Sequence, residues 1–284
     1  MDTFTQLILN IALKSVQLIP NGILMYITKW ILILINYRKQ VINNNYKNAA
    51  VQRYYVHDFN HFYKANLRFF ARIIVEILKY NSSKDSKIKF KNIDDLESQC
   101  IESKGLILLA SHYGNWELAC TLLPQHTQLP CYGVYKPLKN KSVDQYMKKK
   151  RSKNGLQLIP MKKIGRTIIE NMSKDKPAIY ILIADQNPNS KNSVIWTNFL
   201  EIKTAFVNGP MKLVHKYKFN VACMEVSVGE NLFDYTINMN TDIRSEHEDE
   251  SLTQAYAQNL EAQIIKSPEY WLWSHKRWKR SFLE

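Results

Sequence analysis

His112 and Glu117 stand five positions apart in the stretch Ala110-Ser111-His112-Tyr113-Gly114-Asn115-Trp116-Glu117-Leu118. The pairing suits proton transfer. A carboxylate that accepts a hydrogen bond from one imidazole nitrogen fixes the tautomer and leaves the other nitrogen free to take a proton from a hydroxyl. On one continuous helix this spacing would put the two side chains on different faces. Across a bend containing Gly114 they can meet. The plainer alternative is a core histidine beside a helix N-terminal acid that the helix dipole stabilises.

The neighbouring sequence supplies the elements that would hold such a pair. The apolar run 106–110 reads as a buried strand, Gly114 and Asn115 interrupt it, and 116–123 resumes with helical spacing. His112 is therefore expected at the mouth of a strand, with Glu117 in the first turn of the next helix. That corner, at the carboxyl edge of an α/β sheet, is where ligands usually bind.

The alternation continues along the chain. Strands are expected at 131–136, 156–160 and 178–184, and helices at 139–154 (closing on Gly155), 164–172, 204–217 and 251–265. Residues 221–228 and 233–239 read as a strand pair. Strands interleaved with helices predict an α/β fold with a mostly parallel or mixed central sheet flanked by helices. Residues 49–80 carry a broad apolar stripe at helical spacing, and 81–91 form a polar, Lys- and Ser-rich break. Gly209-Pro210 inside a helical stretch implies a tight helix start or a packing need, since both residues are costly in a helix interior.

Two apolar blocks, 7–19 and 23–35, precede all of this, separated by Pro20-Asn21-Gly22. Neither reaches the roughly 20 apolar residues of a spanning helix. Tyr26, Trp30, Tyr37, Arg38 and Lys39 are the aromatic and cationic anchors expected at a membrane surface. We expect a helical membrane anchor that lies in the interface or crosses it obliquely; the alternative is a buried helical hairpin packed on the main domain. The expected organisation is 1–40 anchor helices, 41–91 helical N-terminal region and 92–284 α/β domain.

A net charge of +14 in 284 residues calls for an anionic partner: nucleic acid, an anionic membrane, or an acidic protein or substrate. Cys100, Cys120, Cys131 and Cys223 form no C-x-x-C pair, which argues against a zinc knuckle or redox motif and for buried, reduced thiols. His57-Asp58-Phe59-Asn60-His61 approaches zinc-binding spacing, but with Asp at the acidic position and no third ligand at a useful interval, so no metal is expected.

Further constellations gather behind the His-Glu corner. Tyr135-Lys136-Pro137 ends one strand and Asp185-Gln186 ends another, at the edge where His112 should lie. Residues 148–153 hold Lys148, Lys149, Lys150, Arg151 and Lys153. Since neighbouring positions on a helix are rotated by ~100°, Arg151 is expected to face the cleft, while Lys149 and Lys153 share an outward face. The tail 268–279 is rich in tryptophan and cations, fit for stacking bases, a membrane interface, or packing under the site.

Taken together, these residues resemble the late acyltransferases of lipid A biosynthesis, within the lysophospholipid-type acyltransferases. The family's His-x4-Asp/Glu motif corresponds to His112 and Glu117, its Tyr-Arg-Pro to Tyr135-Lys136-Pro137, and its Arg-x-x-x-Gly to Arg151 and Gly155. Its Asp-Gln corresponds to Asp185-Gln186, its Gly-Pro to Gly209-Pro210, and its closing tryptophan-rich signature to residues 268–279. Tyr37-Arg38 also fits the family's N-terminal pattern. Two positions depart: Lys136 replaces an arginine, losing a bidentate fork, and Glu201 stands where a glycine is usual. The resemblance implies a glycerolipid acyltransferase-like fold and transfer of a fatty acyl group from an acyl carrier protein thioester to a hydroxyl of a lipid A precursor, at the cytoplasmic face of a bacterial inner membrane.

In that reading His112 is the general base and Glu117 orients it. Arg151 holds a phosphate or the developing oxyanion, and Tyr135, Lys136, Asp185, Gln186 and Asn115 contact substrate. No cofactor is needed and nucleic acid is not a partner. Alternative acceptors are a lysophospholipid, an amino-acid lipid or a glycolipid. A non-catalytic basic membrane-binding protein is the alternative of another class, but such a protein has no need of a His-Glu pair at a strand mouth.

Overall fold

The most apolar runs in the chain, β2 (Leu106–Ala110) and β5 (Ile179–Ile183), lie side by side in parallel at the centre of the sheet. Every residue of β2 is buried, as expected of a strand covered on both faces. The computed structural model describes residues 15–80, 87–138, 140–188, 194–243 and 249–279.

Seven strands form this sheet, in the order β1-β9-β8-β2-β5-β3-β4. β1 is Lys87–Lys91, β3 Cys131–Tyr135, β4 Gln157–Pro160, β8 Asn220–Val228 and β9 Asp234–Asn240. All pairs are parallel except β8 with β9. The expected strand pair 221–228 and 233–239 is thus an antiparallel hairpin inside a mostly parallel sheet. β1 joins the sheet beside β9, so the sheet begins within the stretch read as a polar break.

A separate two-stranded ribbon, β6 (Val194–Phe199) and β7 (Ile202–Val207), was not expected from the sequence. It corrects the helix expected over 204–217: residues 204–207 are strand, and helix begins only at Gly209–Tyr217, with Pro210 in its first turn. The ribbon's two-residue turn, Leu200-Glu201, has φ of 51° and 62°. Both positions of such a turn favour glycine or asparagine, so Glu201 stands where glycine is the easier residue. It lies at this turn and not in the cleft described below. Glu201→Gly should therefore stabilise the fold, by about 1 kcal/mol, despite losing the exposed ion pair with Arg53. Chemical denaturation would show it as a higher midpoint at unchanged slope.

The helices take α labels in chain order. α1 (Asn21–Leu34) packs along α3 (Phe59–Lys79). Lys79 caps the chain ahead of α1 by donating to the carbonyls of Gln17 and Ile19. Within α1 the buried residues are Leu24 and Leu32, whereas Ile23, Tyr26, Ile27, Trp30, Ile31 and Leu34 are exposed. Its 14 residues span roughly 21 Å, short of a ~30 Å hydrocarbon core. No described helix is long and apolar enough to cross a membrane; the first apolar block falls mostly outside the described residues.

α2 (Lys39–Asn48) follows, and the helix expected over 49–80 narrows to α3, because Asp58 is its N-cap and accepts from the His61 backbone N–H at 2.8 Å. That cap occupies the acid of the His57–His61 motif. The remaining helices are α4 (Ile93–Glu102), α5 (Trp116–Leu122), α6 (Lys141–Ser152), α7 (Ile164–Ser173), α8 (Gly209–Tyr217) and α9 (Asp249–Lys266).

Candidate active site

Parallel register delivers the central pair. Ala110 of β2 stands opposite Ile183 of β5, so two residues further along each strand bring His112 beside Asp185. The Asp185 carboxylate accepts at Oδ1 from His112 Nδ1 at 2.7 Å. Its Oδ2 accepts the His112 backbone N–H at 2.9 Å and the Trp271 indole N–H at 2.8 Å. With Nδ1 donating, Nε2 carries the free lone pair, and the Gln186 side-chain amide lies 3.2 Å from it. Trp116 sets its ring edge-to-face with the imidazole, centroids 4.8 Å apart.

Asp185 is 2% exposed. Burial alone would raise its pKa, but the imidazole and the converging N–H donors outweigh it and hold the carboxyl at about 2. The carboxylate is therefore fully ionised at any working pH.

Glu117 does not fill the place expected for it. Asn115 caps α5, its Oδ1 accepting from the Leu118 N–H at 3.1 Å. The first turn then aims Glu117 at α6 and away from the strand mouth. There Glu117 takes a bidentate pair from Arg151, with Nε to Oε2 at 2.8 Å and a terminal guanidinium nitrogen on Oε1. Burial pulls the Arg151 pKa down, but Glu117 more than offsets this and leaves it raised. The carboxylate that orients His112 is Asp185, and Glu117 orients Arg151.

A cleft of about 380 Å³ opens over these groups. Its polar wall carries His112, Glu117, Arg151, Tyr135, Lys136 and Gln186, and its apolar wall includes Cys120, Leu156, Leu158, Ile181 and Ile183. Two residues expected to contact substrate are elsewhere. Asp185 lies behind His112, and Asn115, 1% exposed, has both ends of its amide engaged inside the protein. Lys148 pairs with Asp144 at 2.6 Å and lies over the Tyr135 ring, while Lys150 donates to the Tyr80 carbonyl. Lys149 and Lys153 are exposed.

The corner itself is fixed from two sides. Gly114 has φ +62°, and a Cβ there would come within 2.3 Å of Val226, so only glycine fits. The C-terminal segment stitches onto it: the Leu272 N–H donates to the His112 carbonyl at 3.0 Å, and the Gly114 N–H to the Tyr270 carbonyl at 3.1 Å. From the other side Asn115 Nδ2 donates to Glu76 Oε2 at 2.7 Å.

Sequence reasoning missed Glu76, Trp271 and His275 as supports of this site. Glu76 had a signal: Arg72 and Glu76 are charges four apart on the apolar side of α3, a position that charged residues occupy when paired. His275, which accepts the Asn187 N–H at 3.1 Å, lay in the tryptophan-rich tail without a spacing to mark it. Among the described residues no group of three His, Cys, Asp or Glu could hold a metal ion.

Residues 2–280 match the model of a family described as bacterial lipid A biosynthesis acyltransferase. No curated protein matches the chain.

Proposed function

Because this chain belongs to the bacterial lipid A biosynthesis acyltransferase family and is an acyltransferase, we propose that it moves a fatty acyl group from an acyl carrier protein thioester to a hydroxyl of a lipid A precursor. The observation that carries the reading is the His112 Nε2 lone pair, turned to the cleft by the Asp185 bond on the other nitrogen. Nε2 takes the acceptor hydroxyl's proton as its oxygen attacks the thioester carbonyl. The carbon–sulfur bond then breaks, and the imidazolium returns the proton to the departing thiolate. Direct attack requires no nucleophilic side chain on the protein. Asp185 holds the imidazolium in place while it is charged.

Gln186 occupies the hydroxyl's position opposite Nε2 and yields it when the acceptor binds. Lys136 and Tyr135 line the same cleft and meet the anionic parts of the substrates. Arg151, already paired to Glu117, shapes the cleft and lends its donors to a phosphate or the oxyanion. The apolar wall receives the acyl chain. The exposed apolar row of α1 rests on the cytoplasmic leaflet of the inner membrane, in the plane of the interface.

The test is product formation. Purified protein given an acyl carrier protein thioester and a lipid A precursor should yield an ester-linked, acyl-extended lipid by mass spectrometry, and His112→Ala should yield none while remaining folded. Product from the His112→Ala protein would end the reading.

The carrier also leaves a testable mark. Acyl carriers are acidic, and Lys149 and Lys153 present charge on the outer face of α6. Lys149→Gln with Lys153→Gln should raise the apparent KM for the donor several-fold with little change in kcat, and the difference should shrink as salt rises. A salt-independent effect would remove the lysines from donor capture.

A further inference from the structure

The least expected charge in the fold is Arg277. It is 1% exposed, and among the described residues none of its three guanidinium nitrogens has a hydrogen-bond partner. The guanidinium lies 4.4 Å over the ring of Phe206 on β7 and 5.8 Å from that of Phe199 on β6. An unpaired buried cation is costly, and an apolar side chain would fill the same space with less strain. Its surroundings say what the charge does there. Trp271, which donates to Asp185, packs against Phe199 at 5.7 Å. Tyr256 on α9 packs against Phe206 and donates to the carbonyl of Ala110, where β2 runs out toward His112. Arg277 therefore sits against the two rings that pack on Trp271 and Tyr256, the side chains that hold Asp185 and the end of β2.

We propose that Arg277 is a positioning residue that acts through Asp185: its fixed positive charge, buried against aromatic rings, stabilises the buried carboxylate that sets the His112 tautomer. The inference rests on His112 being the base. Attraction between groups so deeply buried is screened little by solvent. Burial lowers the Arg277 pKa to about 10, with Asp185 and Tyr256 opposing the shift, so the group stays charged through neutral pH. The titratable groups facing it are Asp185 beyond β5 and Tyr256 on α9, with His275 on its own segment; β6 and β7 bring aromatic rings. His112 is faced in turn by Asp185 and His275, and Glu117 and Arg151 line the same cleft.

The pH dependence of turnover separates this role from packing. With Arg277→Met, kcat should fall tenfold or more with the donor KM unchanged. The acid limb of the kcat/KM profile should move to higher pH, because removing a neighbouring cation makes an imidazolium easier to form. Arg277→Lys should keep most activity near neutrality. It should also gain an alkaline limb absent from the parent, because an ammonium so deeply buried loses its proton early. It carries the test alone if Arg277→Met does not fold. A Met profile that superimposes on the parent's after scaling, or a Lys profile without the new limb, would overturn the proposal and leave Arg277 a packing residue. Turnover by His112→Ala would instead overturn the general-base reading beneath it.

Discussion

Asp185→Asn should cut kcat by ~10²–10⁴-fold, the range for losing a working general base, in a protein that still folds. The hydrogen bonds decide the outcome. Oδ2 serves two donors that cannot turn away, the His112 backbone N–H and the Trp271 indole N–H, while Oδ1 serves Nδ1 alone. An asparagine has one oxygen, and two fixed donors will claim it. Its NH₂ then faces Nδ1, which must become an acceptor, and the proton moves to Nε2, where the base should be bare. Nitrogen NMR of the imidazole would report that switch directly. Glu117→Gln also costs activity, by a different route: it loosens Arg151 and leaves the tautomer alone, so removing Arg151 as well should add little further loss. If Glu117→Gln switches the tautomer and Asp185→Asn does not, the orienting role returns to Glu117.

The same substitution changes acid stability. The Asp185 pKa is depressed from 3.8 to about 2, so its contribution is complete above about 4 and is lost as pH falls through about 2. Asp185→Asn should flatten the unfolding curve within that window.

Why the sequence showed His112 and misplaced its partner follows from the kinds of information involved. Strand identity is local: the apolar runs 106–110 and 178–184 announce buried strands, and the glycine after His112 announces a corner. Which carboxylate meets the imidazole depends on which strands are neighbours and in what register, a long-range fact that spacing along the chain cannot carry. Asp185 is 73 positions from His112, whereas Glu117 is five. The family motif placed both acids near His112 but gave the orienting role to Glu117 and left Asp185 a substrate contact. The β6–β7 ribbon was illegible for a related reason. Its turn uses Leu200 and Glu201 at positive φ, where a glycine would have signalled a hairpin, and β7 runs straight toward a helix whose pattern absorbed it. Arg151 lines the cleft, a position that helical periodicity, a local property, was enough to expect.

Glu76→Ala should destabilise the protein by about 3–5 kcal/mol, the largest loss we expect from one residue away from the cleft. Glu76 is fully buried and accepts from four donors: Arg72 Nε at 2.9 Å, the Phe233 N–H at 2.7 Å, Asn115 Nδ2 at 2.7 Å and the Tyr235 hydroxyl at 2.6 Å. Deleting the carboxylate strands all four and leaves Arg72, itself buried, with carbonyl partners but no counter-charge. For a chain of this size the loss lowers Tm by roughly 10 °C. The network also ends at the site, since Asn115 caps the helix that starts beside His112. A paired replacement separates the two effects. Arg72→Met with Glu76→Leu removes the buried charges together and should recover much of the stability, because an ion pair is often matched by well-packed apolar side chains. It should not recover turnover, because Asn115 would still lack the acceptor that fixes its amide and, through it, the corner. Full activity in the stabilised double variant would show that Glu76 serves the fold alone; a stable but slow enzyme would show that α3 holds the catalytic corner through a single buried carboxylate.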